Sequence, residues 1–168
     1  VIGYAYDDRW NRMSTGTFFK RRLIRLQPMV VMGSIVGAAL FWFQDAPCYP
    51  AMEGVSAGAV LLVMLLGCTL LPLPLKWDVR GWMEMHPLNG PAWSLYYEYI
   101  GNILYALFIR KFSKTALTVL VAIAACFTVH RCLTAPAGDI VGGWALNWEQ
   151  QYVGLVRLMY PFFGGLLL

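Results

Sequence analysis

The sequence predicts an all-α protein built as a polytopic transmembrane helical bundle, and two observations support this fold class. Charged residues make up 13% of the 168 residues and hydrophobic residues 59%, whereas soluble globular domains carry about 25% charged residues. The apolar residues are also gathered into blocks and are not spread at amphipathic spacing. The chain therefore has too few charges to cover a water-exposed surface, and a bilayer is its expected environment.

Five apolar segments are predicted to lie in the membrane. A span needs roughly 20 apolar residues, and in lipid such a segment satisfies its backbone groups as a helix. Gly33 with Gly37, and Gly54 with Gly58, form GxxxG pairs that predict close helix contacts. The segments are residues 26–43, 55–75, 91–109, 115–129 and 152–168.

The chain starts at Val1 and ends at Leu168 inside the last apolar segment. We therefore interpret residues 1–168 as one partial membrane domain, an internal piece of a longer protein that is truncated at both ends.

Lysine and arginine residues predict which ends of the segments face the cytoplasm. The stretch before the first segment is strongly basic and the loop at 44–54 has no Lys or Arg, so the stretch is expected inside and the loop outside. Strict alternation would then put the basic residues at 110–114 outside, so either the rule fails locally or one segment is re-entrant. The second segment, which ends at Pro72 and Pro74, is a candidate, and the topology of the second half stays open. The net charge of +4 comes mostly from the basic stretch, so no nucleic-acid partner is predicted. The basic residues of that stretch are Arg9, Arg12, Lys20, Arg21, Arg22 and Arg25.

A basic motif lies directly before the first apolar segment. Arg22 and Arg25 are three residues apart and share one face of a helix. Two guanidinium groups at this place can form a fork for phosphate or carboxylate. The same residues can also serve only as an orientation signal that contacts anionic lipid head groups.

A polar stripe follows the helix-start signal that Asn89 and Pro91 provide at the third segment. A carboxylate inside a membrane costs about 2.5–3.5 kcal/mol, so Glu98 should face either an arginine, such as Arg157 or Arg22, or a wet substrate cavity. The stripe recurs at helical spacing and consists of Ser94, Glu98, Asn102 and Tyr105.

The other polar residues predict no metal site and no nucleophile. Arg157 lies within the fifth segment and is expected to form a structural ion pair. His86 is interpreted as a solvated loop residue, and neither it nor His130 has a visible serine or acid partner for a triad. The four cysteines do not show metal-ligand spacing.

Both motifs resemble those of the acyltransferase type 3 family of integral membrane proteins. Residues 19–28, Phe-Lys-Arg-Arg-Leu-Ile-Arg-Leu-Gln-Pro, are similar to the family's basic segment. Residues 89–98, Asn-Gly-Pro-Ala-Trp-Ser-Leu-Tyr-Tyr-Glu, are similar to its Asn-x-Pro-x-Trp-Ser-Leu-x-x-Glu signature. The region around Arg157 and Gly164 resembles a later helix of the family, and order and spacing agree across essentially the whole chain.

The resemblance implies a bacterial-type, multi-pass enzyme of the inner (cytoplasmic) membrane with about ten spanning helices. Such an enzyme transfers an acyl group, here expected to be acetyl, from acyl-CoA to a hydroxyl of a cell-surface or exported carbohydrate. Acyl-CoA is then a co-substrate, and no bound cofactor or metal is implied. The resemblance assigns acyl-CoA binding to Arg22 and Arg25, a supporting catalytic role to Glu98, and cavity lining to Asn89, Trp93, Ser94 and Asn102.

Other expectations concern the region before Val1. Residues 1–4 resemble the end of the family's second helix. The family's catalytic histidine lies on its first spanning helix, so this fragment alone is expected to be inactive. Tyr96 and Tyr97 stand where many members carry small or acidic residues, which affects acceptor choice. Two alternatives are a transporter or flippase that uses Glu98 and Arg157 as relay groups, and a non-catalytic membrane partner that has lost the base.

Overall fold

The computed structural model describes residues 10–44 and 54–168, which form α-helices, short 3-10 turns and loops with no β-strand in these ranges. The all-α prediction is thereby confirmed for the described part of the chain. Arg9, Cys48 and the tail at residues 1–4 lie outside the described residues. The α-helices are α1 (Thr15–Phe43), α2 (Ala57–Gly67), α3 (Ala92–Leu107), α4 (Lys114–Thr134) and α5 (Trp148–Leu167).

Helix α1 begins at Thr15, well before the apolar segment predicted to start at residue 26. Ser14 caps this start, because its Oγ accepts a hydrogen bond from the Thr17 N–H at 3.2 Å. Lysine and arginine are good helix formers, so the helix continues through the basic motif. The 29 residues of α1 extend about 43 Å and include Pro28 without a break.

Helix α2 is much shorter than the spanning helix predicted for residues 55–75. Ser56 caps its start, with Oγ accepting the Ala59 N–H at 3.2 Å, and the helix ends at Gly67 after 11 residues. Leu70 then has a φ of +63°, which is incompatible with a right-handed helix. Eleven residues extend about 16 Å, roughly half of the ~30 Å hydrocarbon core. The prediction of a full second span was therefore wrong, because the apolar run continues past the helix into a turn.

The described residues pack into two compact units, and the boundaries between them fall within α1, α3 and α5 and in the loop before α5, after Gly143. The first unit contains residues 10–22, 97–143 and 152–168, with a core formed by Met13, Phe18, Tyr105 and Ala106. The second unit contains residues 23–44, 54–96 and 144–151, with a core formed by Ala38, Val60, Val63, Leu73, Val79 and Leu88.

Within the described chain, α1 and α4 are long and apolar enough to cross a bilayer. In the most apolar stretch of α4, 6% of the residues are buried inside the structure, so nearly all of that apolar surface needs another apolar environment. Helix α3 has 16 residues, and α5 carries Glu149 and Arg157 within its 20. The five-span arrangement is therefore not confirmed, and the crossing of α3 and α5 stays a prediction.

Candidate functional site

In the first unit, α3 carries the predicted acid beside a buried amide. Asn102 is fully buried, and its Nδ2 donates to the Glu98 carbonyl at 2.8 Å, one helical turn earlier. The Glu98 side chain is half-buried. Neither its carboxylate nor the Asn102 Oδ1 has a hydrogen-bond or ion-pair partner within the described residues. This part of α3 therefore presents two oxygen acceptors with unused bonding capacity.

Two glycines hold α3 and α5 close together on either side of Glu98. A Cβ on Gly154 would lie 2.1 Å from the Tyr97 Cζ, and a Cβ on Gly101 would lie 2.9 Å from the Phe162 ring. Real Cβ atoms do not approach other atoms this closely, so each ring occupies the space of a missing side chain. The sequence prediction did not identify these contacts, because they join residues more than fifty positions apart.

The Arg157 side chain on α5 donates a hydrogen bond to a backbone carbonyl. Its Nη1 donates to the Gly142 carbonyl at 2.7 Å. Gly142 and Gly143 have φ angles of +144° and +108°, which L side chains rarely adopt, so the glycine pair allows this carbonyl to be presented. The alternative that Glu98 pairs with Arg157 is not observed, although both residues lie in the first unit.

The two arginines of the basic motif have different environments. Arg22, in the first unit, is 3% exposed, and its Cζ lies 5.7 Å from the centroid of the fully buried Phe18 ring. Arg25, in the second unit, is exposed. The common helix face therefore does not give the two guanidinium groups equal access to a ligand.

Asn89 anchors a loop of the second unit to α1. Its Nδ2 donates to the Val30 carbonyl at 3.3 Å, while its own carbonyl accepts the Ala92 N–H at 2.9 Å. A Cβ on Gly33 would lie 2.6 Å from this Nδ2, and one on Gly37 would lie 1.6 Å from the Leu88 carbonyl oxygen. The prediction that this GxxxG pair contacts a helix was wrong, because Gly33 faces the Asn89 side chain and Gly37 faces the Leu88 backbone, both in a loop.

The helix start predicted at Pro91 is confirmed, since α3 begins at the next residue. Trp93 is half-buried, and the exposed Ser94 donates from Oγ to the Pro91 carbonyl at 2.9 Å. Of the predicted site residues, the structure places Asn89, Trp93, Ser94 and Arg25 in the second unit and Glu98, Asn102, Arg157 and Arg22 in the first.

His86 is buried, so the interpretation of a solvated loop residue was wrong. The imidazole is 3% exposed, and its Nε2 lies 3.3 Å from the Leu70 carbonyl oxygen. Burial lowers the pKa of His86, and this hydrogen bond opposes the shift. Its Nδ1 has no hydrogen-bond partner among the described residues. The signal that the sequence offered was the apolar character of its neighbours Met85, Pro87 and Leu88.

Charged groups brace the same loop. Arg80 donates from Nη1 to Glu84 Oε2 and to the Pro87 carbonyl, each at 3.2 Å, and its Cζ stacks 4.1 Å from the Trp82 ring centroid. Asp78 accepts the N–H groups of Arg80 at 2.9 Å and Glu84 at 3.2 Å. Burial raises the pKa of Glu84, the nearby Arg80 opposes this, and Asp78 adds to it.

Comparisons with known proteins bear on the identity of the chain. A curated protein of Rhizobium radiobacter, named protein 2 in picA locus, is 27% identical over 113 residues, which cover 63% of this chain and 58% of that protein. The chain thus spans a little over half the length of this curated relative. No solved structure matches. The family model described as an acyltransferase domain matches residues 1–168, and the chain therefore belongs to the acyltransferase type 3 family.

Proposed function

We propose that the protein containing this chain transfers an acyl group, acetyl being the expected one, from acyl-CoA to a hydroxyl of a cell-surface or exported carbohydrate. Membership in an acyltransferase family supports acyl transfer. The observation that carries the assignment to this site is the Glu98 carboxylate, which has no partner among the described residues although it lies on an apolar helix. An ionisable group in such a place is expected to serve function.

The reaction requires one bond exchange and one proton transfer. The sugar oxygen attacks the thioester carbon, the new C–O bond forms, and the C–S bond breaks. The hydroxyl proton passes to a base and then to the leaving CoA thiolate. The family resemblance assigns the base to a histidine expected before Val1. In this proposal Glu98 supports the reaction by accepting a hydrogen bond from that imidazole or from the sugar hydroxyls.

The remaining predicted residues keep positioning roles in the proposal. Arg22 and Arg25 donate hydrogen bonds to CoA phosphates and so supply binding energy far from the reacting carbon. Asn102 holds the Glu98 turn of α3 through its 2.8 Å hydrogen bond. Trp93 and Ser94 are proposed to line the substrate cavity that the family resemblance implies, while Asn89 fixes the preceding loop through Val30.

The proposal includes a membrane arrangement in which α1, α3, α4 and α5 cross the inner membrane and α2 is re-entrant. In the second unit, Val60 near the start of α2 packs with Ala38, and Gly67 at its end faces Ser34, so α2 runs antiparallel to α1. The chain then returns to Gly37 through Leu88. In this arrangement α2 enters the membrane, and the loop after it leaves the membrane, on the side where α1 ends. The basic residues at 110–114 then lie on the cytoplasmic side, which removes the conflict.

Cysteine labelling of the intact protein tests this arrangement. The exposed residues Ser56 and Met83 flank the proposed re-entrant segment. In a variant without its native cysteines, Ser56→Cys and Met83→Cys should both react with an impermeant maleimide from the periplasmic side. Reaction of the two positions from opposite sides would show that the segment spans the membrane.

Acyl transfer itself is tested with the intact protein in membrane vesicles supplied with acetyl-CoA labelled in the acetyl group. We expect label to appear in glycan and free CoA to be released in equal amount. Carbohydrate flux across the membrane without CoA release would instead support the transporter alternative. Neither flux nor release would support the non-catalytic partner.

A further inference from the structure

A second basic cluster lies between α3 and α4 along the chain. Arg110, Lys111 and Lys114 fall within five residues, across the 3-10 turn Ile109–Lys111 and the first residue of α4. All three side chains are exposed. Orientation of the membrane protein alone would explain such a cluster, so its geometry decides whether it is also a site.

Arg110 is held in place by the aromatic core of the first unit. Its Cζ lies 4.1 Å from the centroid of the Trp10 ring, within the range of a cation–π contact. Trp10 in turn donates from Nε1 to the Tyr105 hydroxyl at 3.2 Å and stacks 5.2 Å from Phe18. The guanidinium is therefore pre-positioned and does not have to be ordered when a ligand binds.

A cavity of about 150 Å³ opens beside the two outer members of the cluster. Arg110 and Lys114 line it, together with the buried Tyr105 and the apolar Leu117 and Leu166, whereas Lys111 does not. Pockets for whole small molecules are larger, about 300–1,000 Å³. The cavity therefore suits one compact group such as a phosphate.

Within residues 10–44 and 54–168, no acid neutralises this cluster. Among the described residues of the first unit the acids are Glu98 and Asp139. Glu98 is twelve residues before Arg110, about 18 Å away along a helix, and Asp139 follows the far end of α4. None of the three cations has an ion pair with a described residue. Two cations that lack an ion-pair partner in the described part of the chain, beside one small cavity, match an anion of charge near −2.

We propose that Arg110 and Lys114 bind the phosphate monoester that acyl-CoA carries on its ribose. A phosphate monoester has a charge of about −1.5 to −2 at pH 7, whereas the phosphate diester of a common phospholipid head group has one negative charge. The contact between Arg110 and Trp10 also puts the cluster beside the N-terminal basic stretch, which is the predicted cytoplasmic side where acyl-CoA is found. This site rests on the proposed function, because it assigns the donor.

The test measures binding to the intact protein in nanodiscs of zwitterionic phosphatidylcholine. The probes are acetyl-CoA and its 3′-dephospho form, which lacks this phosphate. Wild-type protein should bind acetyl-CoA about tenfold more tightly than the dephospho form. Arg110→Gln and Lys114→Gln should each remove most of this preference and leave binding of the dephospho form unchanged. Lys111→Gln, with the same charge change outside the cavity, should behave as wild type.

The result that overturns the site is a preference for acetyl-CoA that survives in both Arg110→Gln and Lys114→Gln. Lys114→Gln keeps the test valid if Arg110→Gln unfolds through loss of the Trp10 contact. A lipid ligand is detected by native mass spectrometry in nanodiscs with phosphatidylglycerol. If Arg110→Gln and Lys114→Gln retain fewer lipids than wild type and bind acetyl-CoA with unchanged affinity, the cluster is a lipid site and not a donor site. Wild-type protein that shows the preference but transfers no acetyl would leave the site standing and refute the proposed function.

Discussion

The two packing units use their polar side chains in different ways. In the second unit Arg80 has both a carboxylate and a carbonyl acceptor, Asn89 bonds to Val30, and His86 bonds to Leu70. In the first unit the carboxylate of Glu98 and the cations Arg110 and Lys114 have no ion-pair partner among the described residues.

This difference separates polar groups that build the fold from polar groups that remain available for a ligand. The second unit contains a long non-helical loop, whose backbone must be satisfied inside protein if it lies at membrane depth. Its polar side chains Arg80, His86 and Asn89 form hydrogen bonds to backbone carbonyl groups. The first unit is mainly helical, so most of its backbone is already paired, and its charged groups Glu98, Arg110 and Lys114 need another explanation.

The largest predicted effect is a loss of stability in the second unit. Replacing Gly37 by Ala would put a Cβ 1.6 Å from the Leu88 carbonyl oxygen, which is backbone and can move only with the loop. We expect a loss of about 3 kcal/mol or more and a poor yield of monodisperse protein. The control is Gly58→Ala on α2, where the nearest atom to the added Cβ is Ser56 Oγ at 4.0 Å. Equal yields and melting temperatures for both variants would refute the close packing.

A smaller effect on stability distinguishes charged side chains that hold the fold from charged side chains that are proposed to bind a ligand. Arg80→Gln removes the donor to Glu84 and Pro87, and should lower the free energy of unfolding by about 1–2 kcal/mol. Lys114→Gln removes an exposed cation without an ion pair to any described residue, and should change stability by less than about 0.5 kcal/mol. Thermal unfolding in nanodiscs measures both. A larger loss for Lys114→Gln would reverse the comparison.

The smallest effect is a pH dependence that depends on His86. Because burial lowers the pKa of His86, the folded protein favours neutral imidazole. Its contribution to stability is complete above the unfolded pKa of about 6.5 and is lost as the pH falls through the lower folded value. Glu84, whose pKa burial raises, contributes in the opposite sense, with stability lost as the pH rises through its folded value.

Melting temperatures of wild type and His86→Gln between pH 5 and about 7.5 isolate the histidine. The wild type should lose more stability on acidification than His86→Gln. The exposed His130 provides the control, since His130→Gln should keep the wild-type pH dependence. Parallel curves for wild type and His86→Gln would show that the buried imidazole is not coupled to folding.

The helical class could be predicted from composition, but helix lengths depended on features that hydropathy does not report. Helix α1 extends back through Lys20 and Arg21 because these residues favour helix although they are charged. Helix α2 ends at Gly67 although the apolar run continues, because the chain turns at Leu70. Hydropathy describes the solvent that a segment prefers, and backbone geometry decides where its helix stops.

The candidate site was predictable only as far as one helix reaches. Helical spacing placed Glu98 and Asn102 on one face, and in the structure the Asn102 Nδ2 donates to the Glu98 backbone carbonyl at 2.8 Å. The burial of His86 and the contact between Arg110 and Trp10 join distant parts of the sequence, and no local pattern encodes them.

The most direct test of the central claim compares two acid-to-amide variants of the intact protein in the labelled acetyl-transfer assay. Glu98→Gln changes the acid of α3 that has no ion-pair partner in the described ranges, and Glu149→Gln changes an exposed acid in the first turn of α5. We predict that Glu98→Gln lowers the transfer rate by about 100-fold or more at normal protein levels, and that Glu149→Gln retains the wild-type rate. A Glu98→Gln protein that transfers acetyl as fast as wild type would contradict the account.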